Sequence, residues 1–122
     1  MDLQGKVCLV TGGTSGIGAA TTLALARRGA QVVTISRKGD AQMPAALFSE
    51  FKTHGESIRF LLADVADPAA CRHGVDEVAK DLGRLDVLVH SAGGPVPGSL
   101  DAVTEESWMN AFAVHVDRKS VV

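Results

Sequence analysis

One stretch constrains this chain more than any other: Thr11-Gly12-Gly13-Thr14-Ser15-Gly16-Ile17-Gly18. It follows the apolar run Lys6-Val7-Cys8-Leu9-Val10-Thr11, which reads as a buried strand. It opens into an alanine-rich segment, Ile17 to Arg28, which reads as a helix ended by Gly29. A strand that turns straight into a helix needs small residues at the junction.

The same alternation continues. Gln31–Ser36 reads as a second strand, and Pro44–His54 as a helix buried on Leu47, Phe48 and Phe51 and closed by Gly55. Ser57–Leu62 is a third strand. Asp67-Pro68 supplies an N-cap and a first-turn proline for a helix to about Leu82, burying Val75, Val78 and Leu82, with Gly83 at its end. Leu85–His90 is a fourth strand, followed by a Gly/Pro-rich loop from Ser91 to Val103. Thr104 then caps a last helix bearing Trp108, Met109 and Phe112. Strands joined by helices predict right-handed crossovers and a parallel sheet, and the apolar runs fit strands buried on both faces. The expected fold is α/β, the first half of a Rossmann-type doubly wound parallel sheet, with strand order 3-2-1-4.

At the first strand–helix junction the glycines permit close backbone approach, and the free N–H groups of the helix start attract an anion such as a pyrophosphate. No Gly-Lys-Ser/Thr follows, which excludes a nucleoside-triphosphate P-loop. The same glycines would also suit a turn that merely needs small residues.

The spacing TGxxxGIG is not GxGxxG; it resembles the short-chain dehydrogenase/reductase family. So do Leu3-Gln4-Gly5-Lys6-Val7, Asp64-Val65 after the third strand, His90-Ser91-Ala92-Gly93 after the fourth, and Trp108 to Val116. The resemblance implies roles at matching positions. Gly12, Gly16, Ile17 and Gly18, with Thr14 and Ser15 in the same turn, would cradle the pyrophosphate. Asp64 would accept from the adenine amino group beside Val65. Ser91, Ala92 and Gly93 would line the ribose and nicotinamide side. His90 and Ser91 stand where the family has Asn-Asn; His90 is either a cofactor contact or a hydrogen-bonded histidine at a strand end. His115 stands where the family has the asparagine of a Val-Asn pair that holds a relay water. It is the catalytic candidate here, with a plain packed histidine as the alternative.

The end of the second strand bears on cofactor preference. An acid there would bind a ribose 2′-OH. This chain has Ser36-Arg37-Lys38, which suits a 2′-phosphate and predicts NADP(H) over NAD(H), with NAD(H) still possible. A solvated basic turn is the bland alternative. No His/Cys/Asp/Glu cluster has metal-ligand spacing.

A net charge of −2 gives no sign of a nucleic-acid or anionic-membrane partner, and no apolar run approaches a membrane span. The start of the chain lacks the pattern of a signal peptide, and Cys8 and Cys71 are expected to be unpaired, so a reducing cytoplasm is the expected address. The implied substrate is a small alcohol or carbonyl compound, and the resemblance implies that the intact protein is a homo-oligomer.

The family's catalytic Ser and Tyr-x-x-x-Lys have no counterpart: the chain contains no Tyr, and Lys119 is not placed to substitute. Asp117-Arg118-Lys119-Ser120-Val121-Val122 departs from the apolar helix the family continues with, and equals the translation of a common sequencing-adapter start. The expected organisation is therefore a partial NAD(P)-binding Rossmann domain over residues 1–116 and a non-native tail over 117–122. The expected function is a hydride-transferring oxidoreductase of this family, truncated and inactive as it stands. The alternatives are a catalytically inactive NAD(P)-binding or sensing module, and a fragment that binds nothing well.

Overall fold

The computed structural model describes residues 2–39, 43–93 and 99–117. Strands and helices alternate as β1 (Val7–Thr11), α1 (Gly16–Arg27), β2 (Gln31–Ser36), α2 (Ala45–Thr53), β3 (Ile58–Leu62), α3 (Pro68–Leu82), β4 (Val87–His90) and α4 (Glu105–Phe112). A 3₁₀ turn, Leu100–Ala102, precedes α4, and a π-helical turn, Ala113–Asp117, follows it. The sheet order is β3-β2-β1-β4, every neighbouring pair is parallel, and the expected 3-2-1-4 arrangement stands.

Alternation along the strands sorts the core into two layers. Cys8, Val10 and Val32 pack with Leu23, Ala26 and Phe51 on the face carrying α1 and α2. Val7, Leu9, Val33 and Ile35 pack with Val65, Cys71 and Val78 on the face carrying α3. β1 is covered on both faces and flanked on both sides, so all its residues are buried.

Helix ends follow local chemistry. Gly29 (φ 91°) and Gly83 (φ 75°) take the left-handed conformation after α1 and α3, where a side chain would be strained. Asp67 accepts the Ala69 N–H at 3.0 Å, and Pro68 occupies the first helical position. Thr104 and Ser107 cap α4 reciprocally, each backbone N–H donating to the other's hydroxyl at 3.0 Å.

Three expectations need correction. β3 is not buried on both faces: Phe60 is partly exposed and Leu62 largely so, because β3 is an edge strand and the facing helix, α2, has only 9 residues. On α3, Val75 and Leu82 are only half-buried. Cys71 and Gly74 are buried with Val78 instead, since the small side chains let the helix approach the sheet. α2 ends on His54 (φ −109°), and Gly55 adopts no positive φ, so that end does not depend on glycine.

Among the described residues β4 pairs only with β1. Near that open edge Leu88 is part-exposed, as are Trp108, Met109 and Phe112 on α4. Among the described residues no helix is long and apolar enough to cross a membrane.

Candidate functional site

The crossovers put α1 and α2 on one face and α3 on the other, so the direction of winding reverses between β1 and β4. Ligands of such sheets bind at the carboxyl ends of the strands beside this reversal. A cleft of about 700 Å³ lies there.

The β1–α1 turn forms its floor, with Gly12, Thr14 and Ser15 in the wall. Gly12 has φ 69°, and its N–H donates to the Ile35 carbonyl at 2.8 Å. A Cβ there would sit 2.7 Å from Ala92 Cα, so only glycine lets the β1 and β4 loops meet. Gly18 is buried, and a Cβ there would overlap the Gly12 carbonyl. The hydroxyl of Thr22 donates to the carbonyls of Gly13 (3.1 Å) and Gly18 (2.9 Å), which ties the turn to α1. Ser15 is the N-cap residue, but its side chain makes no capping bond. The first-turn amides of α1 therefore meet no capping side chain at a helix end that borders the cleft, the arrangement that suits an anion.

The second wall comes from the end of β2. Ser36 accepts the Gly39 N–H at 2.8 Å. Arg37 and Lys38 are exposed on the cleft lip, and among the described residues neither forms an ion pair. The third wall is the β3–α3 turn. Asp64 accepts the Ala66 N–H at 2.9 Å, which fixes the carboxylate beside the cleft. Val65 is buried, and its carbonyl accepts from the Cys71 thiol at 3.5 Å.

The fourth wall joins Ala92 and Gly93 to α4 and the π-helical turn, with Ser107, Asn110, Val114 and His115 also in the lining. The His115 ring lies so close to Gly93 that a Cβ on Gly93 would overlap it.

Of the predicted residues, the cleft gathers Gly12, Thr14, Ser15, Ser36, Arg37, Lys38, Asp64, Val65, Ala92, Gly93 and His115. Gly16, Ile17, Gly18, His90 and Ser91 stand outside its lining. Ile17 is largely exposed, and Gly18 serves packing. His90 closes β4 with Nε2 3.1 Å from the Val114 carbonyl and Nδ1 3.1 Å from the Thr11 hydroxyl. Both ring nitrogens therefore have protein partners. The loop residues 94–98 and Lys119 lie outside the described residues.

Thr11 is the residue whose role the sequence reading missed. Its buried hydroxyl accepts the N–H groups of Ser91 (3.2 Å) and Ala92 (3.3 Å), holding the β4 loop to the end of β1. A threonine closing an otherwise apolar strand was the available signal. Away from the cleft, Asp86 accepts from Arg84 at 2.8 and 2.7 Å and from the Val7 N–H at 2.9 Å. The Arg84 bonds, then the Val7 bond, hold its carboxyl below the ordinary carboxylate value. Among the described residues no cluster of His, Cys, Asp and Glu could hold a metal ion.

Comparison with known proteins agrees with this layout. A D-threitol dehydrogenase of Mycolicibacterium smegmatis is 36% identical over 93% of this chain and 43% of its own length. Versicolorin reductase 1 of Aspergillus parasiticus is 36% identical over 93% of this chain and 43% of its own. The crystal structure of a short chain dehydrogenase from Burkholderia cenocepacia in complex with NADP superposes with a TM-score of 0.86 at 40% identity, covering 99% of this chain and 49% of that one. The chain thus spans less than half the length of the curated relatives named here. The family model described as short chain dehydrogenase matches residues 6–121, and the chain belongs to that family.

Proposed function

We propose that this chain is the NADP(H)-binding part of an oxidoreductase that moves a hydride between the nicotinamide and an alcohol or carbonyl substrate. The observation that carries the reading is the cleft at the sheet's reversal point, which joins an uncapped helix start to a basic lip. In this reading Gly12, Thr14 and Ser15 approach the pyrophosphate, with Gly16, Ile17 and Gly18 supplying the start of α1. Ser36, Arg37 and Lys38 meet the 2′-phosphate. Asp64 and Val65 flank the adenine, and Ser91, Ala92 and Gly93 face the ribose and nicotinamide side. The bound cofactor would supply or accept the hydride. His115, beside Gly93, both donates and accepts hydrogen bonds and would hold the relay water in place of the family's asparagine.

Proton transfer at the substrate oxygen needs a positioned acid or base. A chain without tyrosine lacks the family's usual one, so we expect no turnover from these 122 residues alone. The second reading is an NADP(H)-binding module without catalysis. We propose that residues 117–122 are not native; the family match continues to residue 121, so resequencing the source locus past Val116 is the direct check. A longer native frame encoding Ser and Tyr-x-x-x-Lys supports the enzyme, and a genuine stop after Val122 supports the module.

Binding itself is tested by thermal or denaturant unfolding with cofactor. NADPH at 100 times its dissociation constant should raise stability by about 2.7 kcal/mol. No stabilisation at millimolar NADPH would remove the reading.

A further inference from the structure

Two of this chain's departures from the family's asparagines, His90 and His115, are joined through a single carbonyl. The imidazole of His90 lies with Nε2 3.1 Å from the carbonyl oxygen of Val114, the residue before His115. A carbonyl only accepts, so Nε2 carries the proton and donates. Nδ1 is then the bare nitrogen and accepts from the Thr11 hydroxyl at 3.1 Å. That hydroxyl keeps its lone pairs for the Ser91 and Ala92 N–H groups, so every bond in the network has one donor and one acceptor.

Val114 belongs to the π-helical turn that follows α4. Its side chain packs against the core layer under α3 while its carbonyl is bonded to the end of β4. The turn is thus pinned from both sides at the residue preceding His115. A π-turn places side chains differently from an α-helix and is often found at functional sites. Here it sets the His115 ring against Gly93, in the wall of the cleft.

We infer that His90 is a positioning residue: its Nε2–H, through the Val114 carbonyl, holds His115 in place over Gly93. Any consequence for cofactor or substrate rests on the function proposed above; the placement itself does not. An asparagine at position 90 could offer an oxygen near the place of Nδ1 but would not reach Val114. A glutamine could place an amide N–H near the place of Nε2. The two substitutions therefore separate the Thr11 contact from the Val114 contact.

The test is nitrogen–proton NMR of the histidine rings in the full chain, without cofactor, above the ordinary histidine titration range. The expected wild-type result is a His90 ring fixed as the Nε2–H tautomer. In His90→Gln the His115 ring signals should stay within a linewidth of their wild-type positions. In His90→Asn they should move well beyond it. A His90 ring averaging between tautomers overturns the inference, as does an equal response of His115 to both substitutions. Should His90→Asn fail to fold, His90→Gln decides alone: an undisturbed His115 supports the inference and a displaced one overturns it. Because no cofactor is present, failure here leaves NADPH binding untouched, and failure of NADPH to bind leaves this result standing.

Discussion

Replacing Thr11 with valine keeps the shape of a fully buried side chain and removes only its hydroxyl. Three bonds go with it: the donation to His90 Nδ1 and the acceptances from the Ser91 and Ala92 N–H groups. Ser91 N–H keeps the Thr11 carbonyl at 3.0 Å, so two groups lose a protein partner, His90 Nδ1 and the Ala92 N–H. Leaving a buried polar group unpaired costs about 1–3 kcal/mol. The site is only part-buried, which allows water to offset some of that, so the expected loss is about 2–3 kcal/mol. Thr11→Ser is the control. It keeps the hydroxyl and deletes a methyl, for about 1 kcal/mol. Urea unfolding followed by far-UV circular dichroism measures both, with the slope checked for constancy. Thr11→Val should be the more destabilising by about 1 kcal/mol or more. Equal losses, or a larger loss for serine, would show that the methyl group rather than the hydroxyl holds the two strand ends together.

Gly12→Ala faces a left-handed φ, about 1–2 kcal/mol, plus backbone contact with Ala92, whereas Gly16→Ala, at φ 52°, faces open space and only the conformational cost. Denaturant melts should therefore rank Gly12→Ala below Gly16→Ala, and the reverse order would discount the close approach of the β1 and β4 loops. Cys8 and Cys71 are both buried and neither is in a disulfide, and burial, then the Asp86 charge, pushes the Cys8 thiol up. Both should react with a thiol reagent only as fast as the fold opens, and rapid native-state labelling of either would contradict the packing. Asp86 has a lower pKa folded than unfolded. Its contribution is therefore complete above the unfolded value near 4 and is lost as pH falls through the folded value below it. Asp86→Asn should lose stability at neutral pH and flatten the acid limb below about pH 4; an unchanged limb would contradict the role given to Arg84 and Val7.

How much could be read beforehand depended on whether a feature is local. Strand–helix alternation, the Asp67-Pro68 start, the Gly29 and Gly83 ends and the Thr104 cap are written in neighbouring residues, and all of them appear in the fold. The sheet order followed from crossover rules applied to that alternation. The expected order already put β3 at the edge, but how little of it the short α2 covers was not legible in its apolar run. The depth of Cys71 and Gly74 relative to Val75 and Leu82 depends on how closely α3 sits on the sheet, which spacing along α3 does not reveal. In the cleft, the Gly-rich turn, Ser36-Arg37-Lys38 and Asp64 could be named because they adjoin strand ends. The pairings of Thr11 with Ser91 and of His90 with Val114 join residues far apart in the chain and emerged only from the folded geometry.

The direct measurement of cofactor preference is the ratio of NADPH to NADH affinity, by fluorescence titration, in the unaltered chain and in Arg37→Ala. A charge-assisted contact to the 2′-phosphate is worth about 1.5–3 kcal/mol, or roughly ten- to over a hundredfold. NADPH should bind the unaltered chain more tightly, and Arg37→Ala should erase about that factor while leaving NADH affinity unchanged. Equal affinities in the unaltered chain, or a loss shared equally by both cofactors, would contradict a 2′-phosphate site at the end of β2.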